Sequence, residues 1–139
     1  MPYNKEKVVD GLYPLLSIFD EIGGQRLDAV LLMHEYGSLA KIVLDFDSVS
    51  LVVVADKNDD TIDCKTADRV RPRKVKSVDG NKSEPWRTFI GRKFGWGWVT
   101  VNQQGCCDGL LLSFDGIAPD LLLNVIASSI KVARIAKLN

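Results

Sequence analysis

Two stretches of this chain match each other at an offset of about 68 residues, and a sequence that carries one pattern twice is confined to folds built from two copies of a small unit. Ile22-Gly23 aligns with Ile90-Gly91 and Gly37 with Gly105. Ile42-Val43-Leu44-Asp45-Phe46-Asp47 aligns with Leu110-Leu111-Leu112-Ser113-Phe114-Asp115, and Ile62 with Ile130, without a gap. Over roughly forty aligned pairs, ordinary residue frequencies give about two or three identities, and about seven occur, clustered at glycines and apolar positions. The match constrains architecture and leaves chemistry open.

The segment before the first copy has a different period. Val8, Val9, Leu12, Leu15, Leu16, Phe19 and Ile22 recur at three- and four-residue steps with charged residues between them, which predicts an amphipathic helix over 1–22. Pro14 removes a helical hydrogen bond, so a helix starting near Tyr13, or two short pieces, is expected. Gly23-Gly24 ends it.

From Leu27 the period becomes two. Strands are predicted at 25–34, 39–46, 51–55 and from Thr61 in the first copy, and at 94–102, 107–114, 121–127 and 129–135 in the second, with tight turns at Gly37 and Gly105. Each copy is thus a β-meander, spanning 23–66 and 90–139. The expected fold is a single α+β domain: the helix packed on a twisted antiparallel sheet, open or half-barrel, made of two related meanders. At 139 residues, 46% of them hydrophobic, the chain is long enough to bury a core without disulfides or metal.

The copies check each other. Ile42, Leu44 and Phe46 and their counterparts Leu110, Leu112 and Phe114 must each share one sheet face, and that face is the expected core. Leu31 and Met33 with Val99 and Val101 are expected to join it. On the opposite face the copies differ: Arg26, Asp28, Val30 and Leu32 stand where the second copy has Phe94, Trp96 and Trp98 as an aromatic stripe. Three such side chains offer about 150 to 250 Å² each, an area a monomer seldom leaves exposed. Either the N-terminal helix covers the stripe, or Phe94, Trp96 and Trp98 form an interface with a partner or a second copy, or they line a ligand pocket. Gly95 and Gly97, alternating with them, leave space for a neighbouring side chain or a small ligand.

Between the copies, 67–89 reads as a basic linker, with Arg69, Arg71, Arg73, Lys74 and Lys76. Pro72 interrupts that run and no aromatic residue interleaves it, so nucleic acid is not the expected partner. Eighteen basic and eighteen acidic residues give no net field either. No apolar run reaches membrane-spanning length. The first residues lack a secretory pattern, and three cysteines make a poor disulfide framework. A cytoplasmic protein without cofactor or metal is expected.

Catalytic patterns are absent from the sequence. His34 is the one histidine and ends a strand beside a turn; it could activate Cys64, Cys106 or Cys107, yet none of these sits in a nucleophile motif. The stretch 56–60 fails as a calcium loop, with Thr61 where a glycine is needed and Ala67 where a glutamate is needed. A ligand site at the junction of the copies, near His34, Asn102 and Gln103, is the alternative to a protein-binding role.

Ile90-Gly91, Trp96-x-Trp98-x-x-Val101-Asn102-Gln103-Gln104-Gly105, Asp108-Gly109-Leu110-x-Leu112-x-Phe114 and Ala127-Ser128-Ser129-Ile130-Lys131-Val132 together resemble a family of small uncharacterised bacterial proteins on the same strand and turn frame. The resemblance covers about two-thirds of the chain and implies the fold; it brings no activity with it. Small bacterial proteins of this kind are often immunity partners of toxins or accessory binding proteins. The leading expectation is a non-enzymatic protein-binding module, self-associating as a homodimer or bound to another protein.

Overall fold

The computed structural model describes residues 5–69 and 77–137, with side chains for 11–69 and 80–137. Helix α1 (Lys5–Ile22) leads into β1 (Leu27–Glu35), β2 (Ser38–Phe46), β3 (Ser50–Asp56) and β4 (Thr61–Ala67). A short strand β5 (Ser77–Asp79) and one helical turn α2 (Trp86–Phe89) precede β6 (Phe94–Val101), β7 (Cys107–Phe114), β8 (Leu121–Ile126) and β9 (Ser129–Arg134). The strands form two antiparallel sheets, ordered β4-β3-β2-β1-β5 and β6-β7-β8-β9. This is an α+β fold with open sheets, as the two periods of the sequence predict.

Helix α1 is continuous through Pro14, not the shortened or divided helix expected from that residue. Pro14 is exposed, and the buried face of Ile18, Phe19 and Ile22 lies C-terminal to it. Packing of that face offsets the missing bond, since tertiary contact supplies most helix stability in proteins.

The two sheets meet where their first strands start. Arg26 bridges Lys93, and the Phe94 N–H donates to the Gln25 carbonyl at 2.8 Å while the Leu27 N–H donates to the Arg92 carbonyl at 3.0 Å. From this crossing the meanders fold back so that their inner faces pack together. Ile42, Leu44, Phe46, Leu51 and Val53 meet Leu110, Leu112, Phe114, Leu121 and Leu123 in one core. All five phenylalanines form a chain of ring contacts there: Phe46 and Phe19 on Phe94, Phe94 on Phe114, and Phe114 on Phe89.

The strand registers fit a duplicated frame, but not the ungapped one. Leu27 faces Phe46 as Phe94 faces Phe114, so the first strands correspond at 94 − 27 = 67 and the second at 114 − 46 = 68. Leu44 faces Leu51 as Leu112 faces Leu121, which gives 70 for the third strands. Ala55 faces Ile62 as Val125 faces Ile130, which returns the fourth to 68. Turns absorb the differences, because length changes cost little there. Gly24 and Gly91, both at positive φ, match at 67 in the crossing.

That single residue reverses the expected facing of β1. Val30 pairs with Leu44 and Leu32 with Ile42, so Val30 and Leu32 face the core, while Leu31 and Met33 stand on the outer face instead of joining Val99 and Val101. A one-residue slip moves every side chain of a strand to the other side.

The expected linker 67–89 is also partly structured. Arg69 pairs with Asp28 at 3.1 Å, and Arg71, Arg73, Lys74 and Lys76 lie outside the described residues. Beyond them, β5 pairs with β1, Leu31 facing Asp79 and Met33 facing Ser77. The Gly80 N–H then donates to the Val30 carbonyl at 2.8 Å, and the Val30 N–H donates to the Asn81 side chain at 2.7 Å. Helix α2 buries Trp86 and Phe89 and precedes the crossing as α1 does. The sequence reading recognised only one helix because a four-residue turn has no measurable period.

Candidate interaction face

The outer faces of the two sheets carry equivalent rows of side chains. In the second sheet, Trp98 faces Leu111, Leu111 faces Leu122, and Leu122 faces Ala133, an apolar row crossing all four strands. The equivalent row in the first sheet is Leu31, Val43, Val52 and Lys65. Val43 and Val52 are buried, at 3% and 6% exposure, between half-buried Leu31 and exposed Lys65, whereas Trp98, Leu111 and Leu122 are half-buried and Ala133 is exposed. Trp96 stands beside this row with 55% of its surface open. At the two central strands the second sheet therefore presents apolar surface where the first has buried it.

The expected stripe of Phe94, Trp96 and Trp98 does not exist as one face. A register shift between Phe94 and Gly97 interrupts the alternation. Phe94 turns inward to 1% exposure, with Phe19 stacked on it at 5.9 Å. The Ser113 hydroxyl holds the bulge, accepting the Trp96 N–H at 2.8 Å and donating to the Gly116 carbonyl at 2.7 Å. A Cβ at Gly95 would lie 2.1 Å from that carbonyl, and one at Gly97 would lie 2.4 Å from the Phe19 ring. Both glycines thus permit close approach, from opposite sides of the strand, and the space at Gly97 is filled by a helix side chain as the sequence predicts.

Between α1 and β6 runs an open groove of about 680 Å³, lined by Leu16, Phe19 and Asp20 on the helix and by Trp96, Gly97 and Trp98 on the strand. A second depression of about 550 Å³ lies across β3 and β4, with Glu35, Lys57, Asp63 and Lys65 on its walls. Neither contains His34, Asn102 or Gln103.

The alternative ligand residues are not gathered into a site. His34 is exposed at the end of β1 and faces Leu39; its counterpart in the register is Val101, not Asn102. Asn102 uses its side-chain oxygen on its own turn, accepting from the N–H groups of Gln104 and Cys106, and Gln103 is exposed beside it. The thiols are poorly suited to nucleophilic attack. Burial pushes Cys64 up to about 12, with Asp63 adding to the effect, and burial also raises Cys107. A thiol reacts through its thiolate, so both shifts oppose reaction.

The acids of the β3–β4 turn serve the chain's own backbone. Asp56 accepts from the Asn58 N–H and Asp59 from the Thr61 N–H. Asp60 accepts from the Ser128 N–H at 2.8 Å, tying this turn to the β8–β9 turn. Among the described residues no group of three metal-ligating side chains occurs, and no helix is long and apolar enough to cross a membrane.

A family of unknown function, DUF6334, matches residues 14–139. The chain belongs to this family. No curated protein and no solved structure matches it. Membership covers nearly the whole fold, from the middle of α1 through β9, so the paired meanders and the crossing belong to one family unit.

Sequence reasoning located Trp96 and Trp98 but missed Leu111, Leu122 and Ala133. Their alternation with Leu110, Leu112, Leu121 and Leu123 was hidden, because Leu110-Leu111-Leu112 and Leu121-Leu122-Leu123 are unbroken apolar runs. Such a run reads as buried on both faces. The only available signal was that no second covering layer could be assigned to the outer side.

Proposed function

We propose that this protein is a non-enzymatic protein-binding module whose contact surface is the outer face of the second sheet. The observation that supports this most strongly is the row Trp98, Leu111, Leu122 and Ala133 beside exposed Trp96, left open at its centre where the equivalent row of the first sheet buries Val43 and Val52. Burying apolar area gains about 25 cal/mol per Å², and large aromatic anchors dominate interface energies. A surface without acids or bases in the row suits a partner of apolar complementarity rather than one steered by charge. An accessory or immunity-type role in a bacterial cytoplasm fits such a module, and three free thiols fit a reducing compartment.

A photo-cross-linking residue at Leu122, compared with one at Lys65 in the equivalent row of the first sheet, tests this in the native host. A discrete protein adduct at 122, lost on Leu111→Asp and absent at 65, is the expected result. Loss of function in folded His34→Ala together with full function in Leu111→Asp would overturn the reading.

A further inference from the structure

The two first strands differ in what lies along their free edges. On β1 that edge is occupied: β5 pairs with Leu31, Leu32 and Met33, and the Val30 N–H and carbonyl both bond to residues 80 and 81. The equivalent residues of β6, at the offset of 67, are Gly97, Trp98, Val99 and Thr100. Strand β6 ends its sheet; on the edge away from β7, Phe94 bonds to Gly24 and Gln25, and among the described residues no strand pairs with that edge beyond Phe94. The Asp120 N–H donates to the Leu112 carbonyl, so Leu112 bonds away from β6. Gly97, opposite Leu112, therefore directs its own N–H and carbonyl to the free edge, and Val99 does the same two residues on.

Sheet edges are usually guarded by charge. The edge strand β4 carries Asp63 and Lys65, and β9 carries Lys131 and Arg134. The sequence of β6, Phe-Gly-Trp-Gly-Trp-Val-Thr-Val, has no charged residue and no proline. Among the described residues its guards are the bulge and the bonds of Phe94 to Gly24 and Gln25, all upstream of Gly97.

Resting on the protein-binding reading above, we propose that the free edge of β6 pairs antiparallel with β6 of a second copy, centred on Val99, joining the two second sheets into one eight-stranded sheet. An occupant of this edge needs to be extended, uncharged and itself unpaired, and the second copy's β6 meets all three conditions. The pairing is self-complementary. Val99 exchanges both backbone bonds with its mate, Gly97 does so with Val101, and Trp98 stands opposite Thr100, an isologous contact closed by a twofold axis. Around that axis the two Trp98 rings come within diagonal reach on the outer face, which makes the two apolar rows continuous. The groove beside α1, with Gly97 on its floor, is the slot through which the second strand enters.

Sedimentation equilibrium of the purified chain, from about 1 μM to about 1 mM, tests this with three variants. Val99→Pro deletes an outward N–H and leaves the β6–β7 ladder intact. Trp98→Lys places a guarding charge on the edge strand should the proline variant fail to fold, and Leu122→Asp alters the face two strands away. A wild-type dimer whose Kd rises about tenfold or more in Val99→Pro and in Trp98→Lys, at unchanged circular dichroism, supports the pairing. A wild type that stays monomeric throughout overturns it and leaves the protein-binding reading to the cross-linking test. A dimer lost in Leu122→Asp but retained in Val99→Pro overturns the edge pairing while upholding the face as a contact surface.

Discussion

The first and second sheets share a frame but complete it differently. In the first, a strand from the inter-repeat segment closes the β1 edge and the outer row is buried at Val43 and Val52. In the second, no strand among the described residues closes the β6 edge, and the outer row stays open. Inside, the asymmetry reverses: the inner face of β6 is covered by the eighteen-residue α1, whereas the segment before β1's counterpart crossing is only the four-residue α2. One frame thus becomes a closed scaffold in one half and, on the proposal above, a contact surface in the other. The difference lies in what was added around the strands, since the registers themselves agree.

The comparison can be broken most severely inside the core. Leu27 and Phe94 occupy equivalent positions facing Phe46 and Phe114, but only Phe94 contacts three other rings. Phe94→Ala should cost about 3 to 5 kcal/mol, and Leu27→Ala about 2 to 5 kcal/mol, read from chemical denaturation. Equal losses would show that the ring cluster adds nothing beyond buried volume.

The outer rows offer the sharper contrast. Val52→Asp places a carboxylate at a buried position where the facing Lys65 offsets only part of its desolvation, and should cost about 2 kcal/mol or more, whereas Leu122→Asp, at a half-buried position, should stay below about 1 kcal/mol. Thermal melts of the two variants, measured side by side, decide this. A Leu122→Asp variant as damaged as Val52→Asp would mean that the second sheet is covered after all.

Gly97 and Val30 are equivalents with opposite needs. A methyl at Gly97 meets the Phe19 ring, so Gly97→Ala should lose about 1 to 3 kcal/mol through overpacking, recovered in part by Phe19→Leu. Failure of that rescue would show that Phe19 is not what fills the space.

A smaller effect separates the thiols. The folded pKa of Cys64 is raised from 9.0 to about 12, so the native state favours the neutral thiol. Its contribution to stability is complete below the unfolded pKa and is lost as pH rises from about 9 toward 12. Urea melts across that range should fall less steeply for Cys64→Ala than for wild type, and an identical slope would contradict the shift.

The sequence made the strands legible because period-two runs ended in turns with strong local chemistry. Tyr36-Gly37 and Ala127-Ser128, for example, both adopt positive φ, the geometry that two-residue hairpins require. The offset between strands was legible only to within a residue or two, since identities at Ile42–Asp47 and Ile62 are blind to compensating changes in turn length. The same one-residue error misplaced Leu31 and Met33, and the bulge at Trp96 separated Phe94 from its expected neighbours. Helix α2 and strand β5 are too short to have a period, and their role depends on the β1 edge, which no local pattern announces. Of the open outer face, Trp96 and Trp98 were legible as tryptophans, and its leucines were concealed within runs that looked wholly buried.

Amide hydrogen exchange at four backbone positions tests the difference between the sheets most directly. Val30 and Leu32, bonded to 77–81 in the first sheet, should be protected at every protein concentration. Gly97 and Val99 should exchange rapidly in dilute solution and gain protection as concentration rises and a second copy covers the edge. Protection at Gly97 and Val99 equal to that at Val30 and Leu32, and unchanged on dilution, would contradict the account, because the second sheet would then be closed by its own chain.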